Sequence, residues 1–236
     1  MPRSPIWKSI TTTLSAEIAG GQYRAGDKLP TETELSQRFG VNRHTVRRAL
    51  AEMAGAGLVV ARRGSGVFVQ GSPTDYALGR RTRFHQNVLA SGRTPSRQTL
   101  RLETRKADAR EAEALALPLG AMVHVFEGLS LADGVPLAMF RSVFPAARFA
   151  NLLSVLSKSP SVTAAFTACG LQDYTRAATR LTAKTADALQ ALHLRLPEGA
   201  PLLRSVAVNV DGEGHAVEYG ITWFAGDRVT LTVQSD

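Results

Sequence analysis

Apolar residues near the start of the chain recur at helical spacing. Four of them follow one another every fourth residue, which places them on one face of a helix over residues 6–20. After a polar loop, Thr31 stands three residues before Glu34, and this capping box predicts a short helix from Glu32 to Phe39. The four apolar residues are Ile6, Ile10, Leu14 and Ile18.

A further helix and a hairpin follow directly. Asn42 is a natural N-cap for a helix that runs from Arg43 to Ala56 and carries its apolar residues on one face. Residues 58–69 predict two short strands around a turn with Gly64 and Gly66. A helix, a helix-turn-helix and a hairpin in this order predict a winged helix-turn-helix. In that motif the second helix of the helix-turn-helix, the recognition helix, enters the DNA major groove. The apolar residues of that helix are Val46, Ala49, Leu50 and Met53.

The second part of the chain contains an internal repeat. Residues 107–121 and 186–200 are identical at nine of fifteen positions. Each copy predicts a short helix that ends at Leu-Pro-x-Gly, followed by a strand, an Asp-Gly turn and a returning strand. Because two copies are too few for a solenoid, we expect one domain with a pseudo-twofold antiparallel sheet. The turns are Asp133-Gly134 and Asp211-Gly212, further strands are expected at 95–104 and 173–183, and a helix at 161–169.

Glycine and proline interrupt the periodicity between these two parts, over residues 71–83. We therefore predict a winged helix-turn-helix domain at residues 1–72, a linker at 73–83 and a second domain at 84–236. The fold class is α+β. A length of 236 residues suits a small domain joined to a medium one.

Composition limits the classes of protein to which the chain can belong. With 44% hydrophobic and 20% charged residues, it differs from disordered and collagen-like chains. Because no apolar run approaches about 18 residues, no membrane-spanning helix is expected. The first residues lack the apolar core of a signal peptide, so we expect a cytoplasmic protein. The single Cys169 fits a reducing compartment and is expected to pack as a small hydrophobic residue.

Positive charge is concentrated in the first domain. The net charge is +8, and residues 1–72 hold ten Lys and Arg residues but five Asp and Glu residues. In the 26 residues from 38 to 63, six arginines accompany a single acidic residue, Glu52. So local an excess favours a polyanionic partner, although a solvated basic face would look the same. The six are Arg38, Arg43, Arg47, Arg48, Arg62 and Arg63.

The polar residues of the predicted recognition helix stand at its N-terminal end, where such helices contact bases. Arginine can form two hydrogen bonds with guanine, and asparagine can do the same with adenine, whereas Thr45 suits a phosphate. The basic hairpin would reach phosphates or the neighbouring minor groove. The candidate DNA-binding residues chosen on these grounds are Asn42, Arg43, His44, Thr45, Arg47, Arg48, Arg62 and Arg63.

Three motifs of the first domain are specific. They are Leu-Pro-Thr-Glu-Thr-Glu-Leu at residues 29–35, Phe-Gly-Val-Asn-Arg-His-Thr-Val-Arg-Arg-Ala-Leu at 39–50 and Arg-Gly-Ser-Gly-Val-Phe-Val at 63–69. With these motifs the domain resembles the GntR family of bacterial transcription regulators. The resemblance implies DNA contacts from the helix-turn-helix and from the two glycines of the wing, and some branches carry an arginine where this chain has Thr33. The positions carried over are Thr33, Asn42, Arg43, Arg47, Gly64 and Gly66.

The second domain is similar to the effector domain of the HutC branch of that family, whose fold is like that of chorismate lyase. This resemblance implies a small-molecule site that controls DNA affinity, without catalysis. Residues 41–49 and 83–96 are in turn similar to regulators of phosphonate utilisation. Members that bind sugar phosphates carry two arginines and a glutamate where this chain has Gly128, Ser130 and Phe140. A sugar phosphate held in that manner is therefore not expected.

Other effector positions of the family do match. Ser161 and Thr163 correspond to a hydroxyl pair at the start of a central helix, where free N–H groups and the helix dipole would favour an anion. Glu218 corresponds to a ligand contact, and Phe224 stands where the family carries a tyrosine.

The source of positive charge for an anion is a separate question. Arg141 and Arg180 lie on strands that we expect to border the cleft, and His85 stands where relatives carry a small hydroxyl residue. A phosphonate dianion with an ammonium group would suit either arginine, with Glu218 as the partner of the amine. A surface salt bridge is the competing interpretation of each arginine. The candidate effector-binding residues are His85, Arg141, Ser161, Thr163, Arg180, Glu218 and Phe224.

The favoured function is a ligand-responsive transcription regulator, expected to act as a repressor. Because helix-turn-helix dimers place half-sites about one helical turn apart, we expect a homodimer on double-stranded DNA with a palindromic operator. Its effector would be a small anion, a phosphonate or a phosphate ester, with a sugar phosphate or a carboxylate as the alternative. No cofactor, metal or membrane partner is expected.

Two other functions stay open. A lyase-like enzyme could use His85, His124 or Glu218 as an acid or a base, although the sequence has no nucleophile elbow, no metal-ligand spacing and no phosphate-binding glycine loop. An architectural DNA-binding protein would bind DNA with an affinity that no metabolite changes.

Overall fold

The computed structural model describes residues 5–62, 64–71 and 73–233. The chain divides between residues 72 and 73 into two units, and each unit has a hydrophobic core of its own. Among the described residues, no helix is both long enough and apolar enough to cross a membrane.

The first unit is a winged helix-turn-helix, as predicted. The capping box at Thr31 is present, because its hydroxyl accepts a hydrogen bond from the Glu34 N–H while the Glu34 side chain accepts one from the Thr31 N–H. The apolar faces of the helices meet in one core, in which Leu14, Leu35 and Val46 are fully buried. The elements are α1 (Ile6–Ala19), α2 (Glu32–Phe39), α3 (Arg43–Gly55), β1 (Val59–Arg62) and β2 (Gly66–Val69).

The wing is an antiparallel pair in which Arg62 of β1 stands opposite Gly66 of β2. Gly64 and Gly66 have φ angles of 74° and 113°, in the left-handed region that favours glycine. A Cβ atom on Gly66 would lie 2.6 Å from Cε of Lys28. The turn and the packing of Lys28 therefore both account for a glycine at position 66.

In the described part of the second unit, six strands form an antiparallel sheet in the order β4-β5-β6-β9-β8-β7. The two halves predicted from the repeat, β4-β5-β6 and β7-β8-β9, meet where β6 pairs with β9. This arrangement is the expected pseudo-twofold sheet. The elements are β3 (Thr74–Leu78), α4 (Phe84–Ala90), β4 (Pro95–Lys106), α5 (Ala109–Ala114), β5 (Met122–Ala132), β6 (Val135–Pro145), α6 (Leu152–Lys158), α7 (Val162–Ala168), β7 (Thr175–Thr185), α8 (Ala188–Leu194), β8 (Pro201–Val210), β9 (Ala216–Ala225) and β10 (Val229–Val233).

Helices cover the two faces of this sheet. On one face, α5 packs over Val143 of β6, and α8 packs over Met139 of the same strand. On the other face, α6 and α7 pack over Phe140 and Phe144, and α4 packs near Phe224. The face to which a strand residue points therefore decides which helices it meets.

The two predicted Asp-Gly turns differ from each other. Asp133 and Gly134 have φ angles of 50° and 73°, as a two-residue hairpin turn with two positive φ angles requires. The second turn is longer, because the Asp211 N–H bonds the His215 carbonyl and the positive φ angle falls on Gly214. The hairpin predicted at Asp211-Gly212 is present, but its loop extends over residues 211–215. Asp211 organises the loop, accepting hydrogen bonds from the N–H groups of Glu213 and His215.

The segment 73–83, predicted as a linker, is largely ordered within the second unit. Thr74 to Leu78 forms β3, which pairs in parallel with β10. Gly79 and Thr82 then close a short turn, in which the Thr82 hydroxyl donates to the Gly79 carbonyl and accepts from its N–H. Glycine and proline indicated an irregular segment, but the hydrogen-bonding partner is more than 150 residues away in sequence.

Candidate functional site

The N-terminal end of α3 is fixed by its own cap. The side-chain oxygen of Asn42 accepts hydrogen bonds from the N–H and from the hydroxyl of Thr45, each 2.9 Å long. These two candidate DNA-binding residues therefore hold one another, and they set the start of the recognition helix. Arg43 and His44, in the first turn, are exposed.

Arg47 forms a two-pronged ion pair with Glu32 of α2. Its Nε and Nη2 donate to the two carboxylate oxygens at 3.0 and 2.7 Å. The hydrogen bond from Arg47 lowers the pKa of Glu32, and the charges of Arg43 and His44 add to that effect. The guanidinium of Arg47 thus has one fixed orientation across the helix-turn-helix, with its remaining N–H groups available to a base or a phosphate.

The other candidate DNA contacts stand in different surroundings. The Arg48 guanidinium lies over the ring of Trp7 in α1, 4.8 Å from its centroid, so it contributes to packing of the unit. Thr33 lies in the first turn of α2, half-buried. Arg62 belongs to β1, and Arg63 lies outside the described residues. The DNA contacts of these residues stay predictions.

A cavity of about 130 Å³ lies in the second unit, between the sheet and the helices α4 and α7. It opens on the face of the sheet that carries Phe140 and Ser142 of β6. Sites for drug-sized ligands measure about 300–1,000 Å³, so this cavity fits a small metabolite. Of the predicted effector residues, five line it: His85, Ser161, Thr163, Glu218 and Phe224.

Among the described residues, three arginines that the sequence did not single out line the cavity: Arg83, Arg97 and Arg176. The Arg97 guanidinium lies 4.9 Å from the ring centroid of Phe140, and its Nη1 donates to the Pro160 carbonyl at 3.4 Å. Its Nε is buried without a hydrogen-bond partner among the described residues. Burial lowers the pKa of Arg97, and the charge of Glu218 opposes part of that shift. An arginine nevertheless keeps its charge at neutral pH.

The other two arginines sit at the end of the cavity where α4 begins. The buried Nε of Arg176 also lacks a hydrogen-bond partner in the described part of the chain. Arg83 is already engaged, because its guanidinium stacks 3.8 Å from the ring centroid of Tyr174 and donates to the Tyr174 carbonyl. Among the arginines that line the cavity in the described part of the chain, Arg97 and Arg176 are thus the two with a buried N–H that has no acceptor.

Glu218 is the carboxylate that faces these arginines. It is buried on β9, and its two oxygens accept hydrogen bonds of 2.6 Å from the Ser142 hydroxyl and the Asn209 amide. Among the described residues, it forms no ion pair with Arg97 or Arg176. The two arginines and Glu218 thus line the same cavity without forming an ion pair with one another in the described part of the chain.

The hydroxyl residues at the start of α7 are partly used within the protein. The Ser161 oxygen accepts a hydrogen bond from the Ala164 N–H, and the Thr163 hydroxyl is 2.9 Å from the Tyr174 hydroxyl. Both hydroxyl groups at the start of α7 are therefore engaged within the protein.

Arg141 and Arg180 do not line the cavity, so their predicted position was wrong. Arg141 is paired with Glu127 on the opposite face of the sheet, because its strand neighbours Phe140 and Ser142 point into the cavity. Arg180 is exposed and stands opposite Val206, whose side chain packs on that same outer face.

Arg97 reaches the cavity from β4, where it stands directly opposite Ser130 on the neighbouring strand β5. A Cβ atom at Gly128, two residues earlier on β5, would lie 2.5 Å from the Gln98 carbonyl oxygen and 2.9 Å from the Phe140 ring. The space at position 128 is therefore filled by the backbone of β4 and by the phenyl ring. Cross-strand pairing is the signal that could have identified Arg97.

His124, a candidate acid or base, and the single Cys169 both lie outside the cavity lining. His124 is buried on β5, where burial lowers its pKa and Nδ1 is 2.8 Å from the Thr104 hydroxyl. Cys169 packs beside the core under α7, and burial raises the pKa of its thiol. Neither arrangement supports acid–base or nucleophilic chemistry at the cavity.

A winged helix-turn-helix joined to a domain with a charged, metabolite-sized cavity defines a ligand-responsive DNA-binding regulator. Comparison with known proteins gives its family. Residues 7–69 match the gntR family of bacterial regulatory proteins, and residues 90–230 match the UTRA domain. The chain belongs to the GntR family of transcription regulators and carries the UTRA effector-binding domain of its HutC branch.

Individual relatives cover the whole chain. It is 38% identical over 231 residues to "Uncharacterized HTH-type transcriptional regulator RB1450" of Rhizobium meliloti (strain 1021), and the aligned residues cover 98% of this chain and 95% of the relative. It is 32% identical over 238 residues to "Probable transcriptional regulator PhnF" of Escherichia coli (strain K12), with 97% and 94% covered. The crystal structure of PhnF from Mycobacterium smegmatis superimposes with a TM-score of 0.68 at 27% identity, with 96% and 98% covered. These relatives are transcription regulators, which implies DNA and a small-molecule effector as partners.

Proposed function

We propose that this protein is a transcriptional repressor whose affinity for its operator falls when a small anion binds in the cavity of the second unit. The observation that carries the proposal is the pair of unpaired, buried Nε atoms of Arg97 and Arg176 in the cavity wall. Burying a charged guanidinium without an anionic partner is costly. A bound anion would supply the missing hydrogen-bond acceptors and offset that cost.

The anion we propose is a phosphonate or a phosphate ester. Tetrahedral oxyanions offer several acceptor oxygens to more than one guanidinium, a geometry that arginine matches well. The resemblance to proteins named PhnF supports a phosphonate operon as the regulated target. A carboxylate effector is the second candidate, because its two oxygens would also accept hydrogen bonds from one guanidinium.

The DNA-bound form we propose is a homodimer in the cytoplasm on a palindromic operator. The recognition helix of each copy would read one half-site, with Arg43 and Arg47 at the bases and the wing at the backbone. A ligand that favours one arrangement of the effector domains would then lower DNA affinity by a coupling free energy of about 1–3 kcal/mol.

The test is fluorescence anisotropy of the full-length protein on DNA from upstream of its own operon, in a salt series, with inorganic phosphate, phosphonates and carboxylates added in turn. Specific binding to a two-fold site that a phosphonate releases supports the proposal. Binding that none of these anions alters would leave an architectural DNA-binding protein. Turnover of a phosphonate by the purified protein would favour the lyase-like enzyme instead.

A further inference from the structure

The cavity separates its charges. Arg97 and Arg176 present unpaired donors, while the carboxylate of Glu218 lies in the same cavity and forms no ion pair with them among the described residues. We propose that the effector is a compact zwitterion, whose dianionic head binds Arg97 and Arg176 and whose ammonium group binds Glu218. This inference rests on the proposed function and names the chemical class of its ligand.

The surroundings of Glu218 select a cationic group. Its partners, the Ser142 hydroxyl and the Asn209 amide, are neutral donors, so the negative charge is solvated by dipoles and is not neutralised. Each carboxylate oxygen can accept a further hydrogen bond. An ammonium group carries three donors and a full charge, and it is therefore the complement of this carboxylate.

The hydrogen-bond partners of Arg97 and Glu218 argue against a direct ion pair between the two. The Arg97 guanidinium contacts the ring of Phe140 and the Pro160 carbonyl, and Glu218 accepts hydrogen bonds from Ser142 and Asn209. Glu218 acts on Arg97 through its charge, but neither of these two groups is held by contact with the other. Such a layout stabilises a ligand that carries both signs and disfavours one that carries a single sign.

Ligand size follows from the cavity. A volume of about 130 Å³ leaves room for a short spacer between the two charged groups. Probes can therefore be chosen as a matched set. In 2-aminoethylphosphonate both charges are present, in n-propylphosphonate a methyl group replaces the ammonium, and in β-alanine a carboxylate replaces the phosphonate.

The experiment is isothermal titration calorimetry of the full-length protein with these three probes. We expect 2-aminoethylphosphonate to bind at least about tenfold more tightly than n-propylphosphonate, since its ammonium group adds a charge-assisted hydrogen bond to Glu218. Equal affinity for the two phosphonates would overturn the zwitterion and leave the proposed function intact. If neither phosphonate binds, the phosphonate effector of the proposed function fails together with the zwitterion.

A variant then assigns the preference to Glu218. Glu218→Gln should reduce the ratio of the two phosphonate affinities to about one, mainly by weakening 2-aminoethylphosphonate, because an amide does not attract the ammonium charge. Arg180→Gln, on the opposite face of the sheet, is the matched control and should keep the wild-type ratio. A ratio that survives in Glu218→Gln, in protein with a wild-type melting temperature, would contradict the assignment. If Glu218→Gln does not fold, Glu218→Asp should reduce the same ratio, since it moves the carboxylate back by one methylene.

Discussion

Arginines carry both candidate functions of this protein, yet the two sets of guanidinium groups stand in opposite environments. On the DNA-binding unit, Arg43 and Arg47 are exposed, and Arg47 is paired with Glu32. In the effector cavity, the Nε atoms of Arg97 and Arg176 are buried without a partner among the described residues. The first set is therefore in contact with water, whereas each arginine of the second set keeps a buried N–H group for which the described part of the chain provides no acceptor.

The difference in exposure determines which kind of anion each set of arginines can bind. Exposed charges attract a polyanion from a distance, and salt screens them. Buried charges act at contact, in a medium where water does not compete, and their unpaired donors favour an anion small enough to enter. The contrast suggests four substitutions, in order of decreasing expected effect.

The largest effect is expected for Arg97→Gln. Removing one partner of a buried, hydrogen-bonded charge pair costs about 2–5 kcal/mol, so affinity for a phosphonate should fall at least about 30-fold. Affinity for operator DNA without effector should stay near wild type. Calorimetry and anisotropy measure the two quantities, and Arg101→Gln on the same strand, outside the cavity lining, is the control. Wild-type phosphonate affinity in Arg97→Gln would remove this residue from the site.

The next effect is expected for Arg43→Gln on the DNA side. Loss of a base contact from arginine costs about 1–3 kcal/mol and relaxes the preference at that base pair, whereas phosphonate affinity should not change. Anisotropy on the operator and on single-base variants measures this loss. Arg24→Gln, in the loop before α2, should have a smaller effect on all sequences alike. Equal loss on every DNA would make Arg43 a phosphate contact.

The third comparison concerns an arginine that is paired within the protein, Arg148, whose partner is Asp211. Asp211 is desolvated, which raises its pKa, but hydrogen bonds from Arg148 and from two backbone N–H groups outweigh this and lower the pKa to about 2 from 3.8. The folded pKa lies below the unfolded one, so this stabilisation is present above about pH 3.8 and is lost as the pH falls toward about 2.

Asp211→Asn should therefore lower the free energy of unfolding by about 1–2 kcal/mol at pH 7, with the difference shrinking below about pH 4. Denaturant unfolding at several pH values measures it. Glu213 is an exposed residue of the same loop, so Glu213→Gln serves as the control and should change the free energy of unfolding by less than about 0.5 kcal/mol. A difference that does not depend on pH would point to packing in place of the ion pair.

The smallest effect is expected for Glu32→Gln. Exposed ion pairs contribute about 0.2–1 kcal/mol, so freeing Arg47 should raise affinity for non-operator DNA by about 1.4- to 5-fold and reduce the ratio of operator to non-operator affinity. Glu52→Gln, elsewhere on α3, is the control. Unchanged discrimination would show that the pair with Arg47 plays no part in reading the operator.

Local sequence patterns predicted most of the fold. The capping box at Thr31, the N-cap at Asn42 and the repeat of residues 107–121 in 186–200 depend on neighbours a few residues apart, and the structure contains the elements they predict. The same holds for the cavity residues Ser161 and Glu218, which the family resemblance placed on the correct elements.

The cations of the cavity depend on strand register, which local patterns do not give. Arg176 and Arg180 are four residues apart and would share a face on a regular strand. A bulge between Arg176 and Ala178 shifts the pairing, so Arg176 faces the cavity and Arg180 faces away. The long-range pairing of β3 with β10 escaped prediction for a related reason, since its partner is at the far end of the chain.

Control of DNA binding by the cavity can be measured as the phosphonate affinity of the protein, once free and once bound to operator DNA. Linkage requires that the ligand bind the DNA complex more weakly, by the same factor by which it weakens DNA binding, about 5–150-fold for a coupling of about 1–3 kcal/mol. Equal phosphonate affinity in the two states would mean that the cavity and the recognition helix are uncoupled, and it would contradict an effector-controlled repressor.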